Sequence, residues 1–449
     1  MNLILLPLYL LYRFSSWARY WTLRRFTRAG LAVLGAFLVA GTMGLDTENL
    51  VTYQAFTLLL ALLLVAFVPT CVFRAKFSVH RLLPRFGTAG HPLVYRVTVR
   101  NLTRRKQTGL TLLENLADPR PSFGQWWAFQ LDAQRRTRPF RLVRQHRRTH
   151  PFRLVAVKES LLPPMAPRQE VEARIELTPL RRGVLRFVGV TLARPDPLGL
   201  FRAFIKAPVP QSVLILPKRY FIPPLALPGA MKYQQGGVAL AANVGQSEEF
   251  VALRDYRRGD PLRHIHWRSW ARVGKPIVKE FEDEFFVRHA LVLDTYTDRL
   301  QSDEFEEAVS VAASFACTVL TQESLLDLLF VGPQAYCFTV GRGLAHVDQM
   351  LEILASVQPC PNGSFDTLEH LVLNRVGAVS GCICVLLAWD GRRRKFVEKL
   401  RALGLPVSVF VVVPRGAGGR PDAGPMRNDP ERLQVLEVGR IEEQLARLA

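Results

Sequence analysis

At 449 residues the chain is long enough for two or three domains, each with its own core. A net charge of +21 beside 49% hydrophobic residues points to membrane segments joined to basic, polar domains. Of the six cysteines, Cys71 sits in an apolar helical run and most of Cys317, Cys337, Cys360, Cys382 and Cys384 in other apolar runs; the spacing of Cys382 and Cys384 suits neither a zinc knuckle nor a C-x-x-C redox pair, and they read as reduced core residues.

Met1–Tyr12 is apolar but too short to span a bilayer. It lacks the basic start and small-residue cleavage site of a signal peptide, so it reads as an interfacial segment. Ala29–Leu45 and Leu50–Phe73 are apolar runs near the roughly 20 residues that a spanning helix needs. They define two helices, about 29–45 and 50–73, joined by Asp46-Thr47-Glu48-Asn49. Arg13, Arg19, Arg24, Arg25 and Arg28 flank the entry, and Arg74, Lys76, Arg81 and Arg85 the exit. The positive-inside rule then predicts a transmembrane hairpin within residues 1–76, with its turn outside and both ends cytoplasmic.

Residues 77–217 alternate in short strands bounded by Gly, Pro, Asn or charge, the pattern of an all-β sandwich or Ig-like module. An arginine-rich insertion at 135–153 interrupts them and suits a solvated face or anionic lipid; no nucleic-acid motif accompanies it. Residues 218–286 hold a Pro- and Gly-bearing linker and the dense charged block Ser247–Glu284. From 287 to 449, apolar strands without alternation alternate with helical segments, which predicts an α/β domain with a parallel sheet. Within it Cys382 and Cys384 are read as pointing to opposite faces of one strand.

Ligands of doubly wound sheets bind at the carboxyl ends of strands, where Asp294 and Asp390 stand. The order of elements resembles the von Willebrand A fold, whose metal site uses Asp-x-Ser-x-Ser, a Thr and a later Asp. Here Tyr296 and Asp298 occupy the serine positions, and Gly341-Arg342-Gly343-Leu344 the threonine loop. Asp294, Asp298 and Asp390 therefore read as the remnant of a metal site, with weak or absent Mg²⁺ binding expected. The alternative role for Asp294 is a helix cap or a loop hydrogen-bond acceptor. His264 and His266 are flanked by Arg263 and Arg268, which oppose a divalent ion, and Ser247, Asp255 and His264 lack a nucleophile-elbow pattern. The alternating signs of the charged block fit an ion-paired structural segment, with Arg263 and Trp267 packed, or else a recognition surface; the structural reading is preferred.

The chain resembles the domain-of-unknown-function 58 family. The resemblance rests on Glu249-Phe250, Leu253-Arg254-Asp255-Tyr256, Gly259-Asp260, Arg263, Ile265-His266-Trp267, Ala271-Arg272 and Lys279-Glu280-Phe281-Glu282. Upstream, Arg182-Gly183 and Asp196-Pro197-Leu198-Gly199-Leu200-Phe201 also match, while Trp270 stands where a small residue is usual. It implies a membrane-anchored protein with a von Willebrand A-like, Rossmann-like domain, often encoded beside MoxR-type AAA+ ATPases and transglutaminase-like membrane proteins. The signature residues Glu249, Phe250, Arg254, Tyr256, Gly259, Asp260, Arg263, Trp267, Arg272 and Glu280 are then structural or partner-binding. The expectation is a non-enzymatic bacterial inner-membrane scaffold working with such an ATPase, with the bilayer as partner and no catalytic residue or cofactor. A metal-dependent ligand-binding module and a carboxylate-using hydrolase are the alternatives.

Overall fold

The computed structural model describes residues 2–43, 50–118, 120–127, 155–157, 159–223, 250–258, 260, 262–281, 288–297, 299, 302–321, 325–340, 344–361, 363–417, 419 and 422–448. The chain divides into two compact units, Met1–Lys218 and Arg219–Ala449. The arginine-rich insertion at 135–153 and the linker from 224 to 249 lie outside the described residues.

The first unit opens with three helices: α1 (Asn2–Arg25), α2 (Arg28–Met43) and α3 (Leu50–Val72). The sequence reading ended the first apolar segment at Tyr12. Helix α1 instead continues to Arg25, because no Pro or Gly stands between Tyr12 and Arg25 to stop it. By length and composition, one described helix can cross a bilayer, over Val51–Val72. Helix α2 has 16 residues, a rise of roughly 24 Å against a hydrocarbon core of roughly 30 Å. It runs antiparallel to α3. Phe37 stacks on Phe56 with ring centroids 4.8 Å apart, and Leu31, Val33 and Leu34 share a cluster with Leu62, Leu63 and Ala66.

Nine strands follow: β1 (Phe77–Leu82), β2 (Phe86–Thr88), β3 (Leu93–Asn101), β4 (Thr111–Leu116), β5 (Val155–Val157), β6 (Ser160–Leu161), β7 (Glu170–Pro179), β8 (Gly183–Pro195) and β9 (Arg202–Leu216). They form two sheets, ordered β1-β3-β7-β5 and β2-β9-β8-β4-β6. Alternation does the sorting: Leu93, Tyr95, Val97 and Val99 of β3 point inward, as do Ala173, Ile175 and Leu177 of β7. Opposite them lie Leu112, Phe187, Leu192 and Ile215 of the second sheet. Arg81, counted from the sequence among the charges flanking the membrane, is on the inward face of β1. It is 1% exposed and forms a two-point ion pair with Glu114, with Nη2 to Oε2 at 2.6 Å and Nε to Oε1 at 3.3 Å. Arg81 Nη2 also donates to the Gly189 carbonyl, and Nη1 donates to the Val209 carbonyl. A charge so satisfied is tolerated in a core, and it does not report on membrane sidedness.

Near the start of the second unit stands Tyr220, whose amide donates to Ser314 Oγ at 2.8 Å and whose hydroxyl donates to Glu307. An antiparallel pair follows, β10 (Phe250–Asp255) with β11 (Ile277–Phe281), and the helix Trp267–Val273 lies in the connection. Then come β12 (Arg288–Leu293), β13 (Leu325–Val331), β14 (Ala335–Val340), β15 (Gly381–Leu386), β16 (Val407–Val413) and β17 (Leu433–Glu437), in the sheet order β14-β13-β12-β15-β16-β17. Only β14 is antiparallel to its neighbour among these. Counted from β12, the order is 3-2-1-4-5-6, the doubly wound arrangement, and it reverses between β12 and β15.

Helices cover both faces, which is why β12 and β15 are buried at every position. The helix Asp303–Thr321 starts with Asp303, Glu304 and Glu306, and Ser302 Oγ accepts from the Phe305 amide at its N-terminus. Its Phe315 meets Phe410 of β16 at 4.6 Å. The helices Phe365–Leu373 and Gly391–Ala402 pack on the other face against Ala290, Val292, Cys382 and Cys384. Cys382 and Cys384 therefore share one face, contrary to the sequence reading, since residues two apart on a strand point the same way. Their sulfurs are 3.5 Å apart, at thiol hydrogen-bond distance, and form no disulfide.

Candidate functional site

The strand order reverses between β12 and β15, the position at which doubly wound sheets bind ligands at the carboxyl ends of their strands, and Asp294 directly follows β12 there. Asp294 is fully buried. Its Oδ1 accepts from the Tyr296 amide at 3.0 Å, and its Oδ2 from the Leu387 amide at 3.1 Å. Asp390 caps the helix Gly391–Ala402, with Oδ1 accepting from the Arg393 amide at 3.0 Å. Between the two carboxylates lies the guanidinium of Arg393. Its Nε donates to Asp294 Oδ2 at 2.6 Å and its Nη1 to Asp390 Oδ2 at 2.7 Å. The guanidinium carbon also lies 5.1 Å from the centre of the Phe365 ring.

Burial opposes the charge of Arg393, but the Asp294 and Asp390 carboxylates outweigh it and hold its pKa above the ordinary value. Burial likewise works against the Asp390 carboxylate, and the hydrogen bond and charge of Arg393 more than offset it, so that pKa is lowered. A divalent ion does not fit this donor set. All four carboxylate oxygens already accept hydrogen bonds, and a fixed cation fills the space between them. Among the described residues, no group of three or more His, Cys, Asp or Glu side chains could hold a metal ion. Asp298 and the loop 341–343 lie outside the described residues. Tyr296, at the first serine position, turns its ring edge to Phe365 at 5.8 Å, and burial pushes its hydroxyl up to about 12.

The signature residues gather on the β10–β11 pair. Arg254 clamps Asp260 with bonds of 2.6 and 2.8 Å, and the Arg257 amide donates to the same carboxylate at 2.8 Å. Those bonds pull the Asp260 carboxyl down to about 2. The Tyr256 amide donates to the Pro276 carbonyl at 2.9 Å, and an isolated bridge joins Ile265 to Val278. His266 Nδ1 lies 2.6 Å from Ser269 Oγ. Glu249 and Gly259 lie outside the described residues; Phe250, Arg263 and Glu280 are described for their backbone only, in β10, a short 3₁₀ turn and β11.

Trp267 is not packed as the structural reading required. It is 64% exposed and stacks face to face on Trp270, with centroids 5.2 Å apart and planes 17° apart. Leu262 and Val273, in the same connection between β10 and β11, are exposed as well. Arg268, Arg272 and Lys275 are exposed too, and none forms an ion pair among the described residues. The block thus divides into an interlocked half around Arg254 and Asp260 and an outward half around Trp267. The i, i+3 spacing of the two tryptophans was the signal for their sharing a helix face.

The upstream motif is the junction of the first unit. Asp196 Oδ1 accepts from the Phe201 amide at 2.8 Å and Oδ2 from the Leu198 amide at 3.1 Å, so its carboxylate ties a turn that needs Gly199 at φ 68°. Phe201 meets Phe26 at 4.5 Å and Phe67 of α3 at 5.8 Å. The Thr27 amide donates to the Leu200 carbonyl at 3.0 Å.

A doubly wound domain with an antiparallel strand pair ahead of it, following a β-rich unit in the chain, is the class that this architecture defines. Residues 252–448 match the family model described as "Protein of unknown function DUF58", so the second unit is similar to that family. It is 29% identical over 182 residues to the "Uncharacterized protein YeaD" of Bacillus subtilis, an alignment spanning 40% of this chain and 44% of that relative. Among solved structures, the CARDB domain of a Pyrococcus furiosus protein aligns with 31% of this chain and 93% of its own, at 11% identity and a TM-score of 0.16. A Listeria innocua beta-glucosidase aligns with 31% of this chain and 16% of its own, at 14% identity and a TM-score of 0.17. Scores this low carry no argument about fold or activity.

Proposed function

We propose that the chain is a non-enzymatic, membrane-anchored scaffold of the bacterial inner membrane, and that its signature hairpin docks a MoxR-type AAA+ ATPase during protein maturation or complex assembly. The observation that carries this reading is the outward half of the signature: a stacked tryptophan pair, exposed leucine and valine, and three exposed bases that form no ion pair among the described residues. Tryptophan and arginine dominate the energetic centres of protein interfaces, and a monomer without a partner has no reason to leave such a cluster in water. The bilayer is the second partner, through α3 and through α2 packed antiparallel against it, with both flanks of the pair cytoplasmic. A transglutaminase-like membrane protein is a further candidate in the same assembly. The α/β domain is of the von Willebrand A kind in this reading, which is supported by the sheet order with β14 antiparallel at the edge. It is a binding platform in which the Asp294 and Asp390 carboxylates are held by Arg393 and do no acid–base chemistry.

The test is affinity capture from membranes with the full chain and with Trp267→Ala/Trp270→Ala. Capture of an AAA+ ATPase that the double variant loses, at unchanged folding, supports the scaffold reading. Equal capture by both refutes the assignment of the surface. Reporter fusions after Phe73 and at the C-terminus should both report cytoplasm, and a periplasmic signal from either overturns the anchoring scheme.

A further inference from the structure

We infer that Arg393 is the resident cation of the switch-point site, standing between Asp294 and Asp390 in place of a divalent metal, so that ligand engagement at this end of the sheet is metal-independent. This goes beyond the scaffold reading and rests on the geometry of the carboxylates alone.

The guanidinium reaches both acids at ion-pair distance, 2.6 Å to Asp294 and 2.7 Å to Asp390. It is anchored from three sides. Its own helix begins at the Asp390 cap, the Phe365 ring lies beside it, and Nη2 lies 3.4 Å from the Tyr296 carbonyl. The residue as a whole is 8% exposed, so water does not compete for these bonds. A hard cation asks for about six oxygen ligands at roughly 2.0–2.6 Å. Here the oxygens are committed to N–H donors, and an ion entering between the carboxylates would meet a positive charge already seated there. Tyr296 fits the same arrangement, because its ring packs on Phe365, which in turn lies against Arg393. Guanidinium also differs from a metal in being covalently attached. It cannot be removed by chelation, and it leaves no open coordination position through which a partner's carboxylate could bind.

The experiment uses the full chain in detergent, with Mn²⁺ as the probe. Equilibrium binding by electron paramagnetic resonance and thermal unfolding are measured with EDTA and with Mn²⁺, for wild type, Arg393→Ala and Arg393→Lys. Wild type should bind no stoichiometric Mn²⁺ at sub-millimolar concentration, and its Tm should be the same in EDTA and in Mn²⁺. Arg393→Ala should lose Tm in EDTA, bind Mn²⁺ at least about tenfold more tightly than wild type once the like charge is gone, and recover part of its Tm with the metal. Arg393→Lys, which keeps the charge, should stay indifferent to Mn²⁺. Stoichiometric Mn²⁺ binding by wild type that Asp294→Asn abolishes overturns the inference. So does an Arg393→Ala protein that unfolds at the wild-type temperature. If Arg393→Ala does not fold, the wild-type measurement still decides. Partner capture in EDTA is a separate readout: a failed scaffold reading removes the partner, and only a failed inference makes the metal matter.

Discussion

Replacing Gly30 by alanine tests the junction between the helices and the sandwich in the first unit. A Cβ on Gly30 would lie 2.0 Å from the Leu200 carbonyl oxygen and 2.8 Å from its carbonyl carbon, both backbone atoms of the turn tied by Asp196. A carbon and an oxygen sit comfortably no closer than about 3.3 Å, so turn and helix must separate by roughly 1.3 Å. That movement strains the Thr27 amide bond to Leu200, now 3.0 Å, and the Thr27 hydroxyl bond to the Gly199 carbonyl. Two hydrogen bonds at about 1 kcal/mol each and about 1–3 kcal/mol of overpacking oppose a helix-propensity gain of up to about 1 kcal/mol. The expected net loss is about 2–4 kcal/mol. Gly35 is the internal control: it lies in the same helix, and a Cβ there meets nothing within 4 Å, so Gly35→Ala should be neutral or slightly stabilising. Pulse proteolysis of the detergent-solubilised chain across a denaturant series gives both values. A Gly30→Ala midpoint equal to that of Gly35→Ala would refute the close approach and with it the role given to the turn.

Trp267→Ala should lower unfolding stability by about 1 kcal/mol or less, the worth of one exposed aromatic stack, whereas Trp126→Ala, at 3% exposure, should cost about 3–5 kcal/mol; denaturant titration separates the two. His289 is 2% exposed, its Nδ1 has no hydrogen-bond partner among the described residues, and burial lowers its pKa. The unfolded chain therefore takes up its proton first, near pH 6.5; the stability of the α/β domain should be full above that pH and fall as pH drops below it. His289→Leu should flatten this part of the stability profile, and an unchanged slope between pH 7.5 and 5.5 would contradict the assignment.

What the sequence made legible is local. The alternating run of β3 and the unbroken apolar runs of β12 and β15 show which side chains are buried, because period alone carries that information. The acids before Phe305 mark a helix start in the same way. The misreadings concern which residue meets which. Arg81 looked like a membrane flank since it follows an apolar helix closely, but its partner Glu114 is 33 positions away. Asp294 was recognised as a site residue, while Arg393, which defines its chemistry, lies 99 positions on, in a run of three arginines where nothing marks the middle one. Trp267 was assigned to a core because tryptophan is large and apolar, although a short helix between two strands has only one face to bury.

The charge of +21 therefore has two physical meanings in one chain. Arg81, Arg288 and Arg393 are spent inside, each against a buried carboxylate: Glu114, Asp327 and Asp294. Removing one of these partners strands the other in a medium that solvates charge poorly, at a cost of about 3–5 kcal/mol, so such residues are tied to folding. Arg268, Arg272 and Lys275 have no such constraint among the described residues. Their substitution should leave folding intact, because exposed positions change stability by only about 0.5 kcal/mol. Part of the basicity available for recognition in the described part of the second unit therefore lies on the segment that carries the tryptophan pair, and a partner reading that surface needs acidic groups placed around an apolar centre.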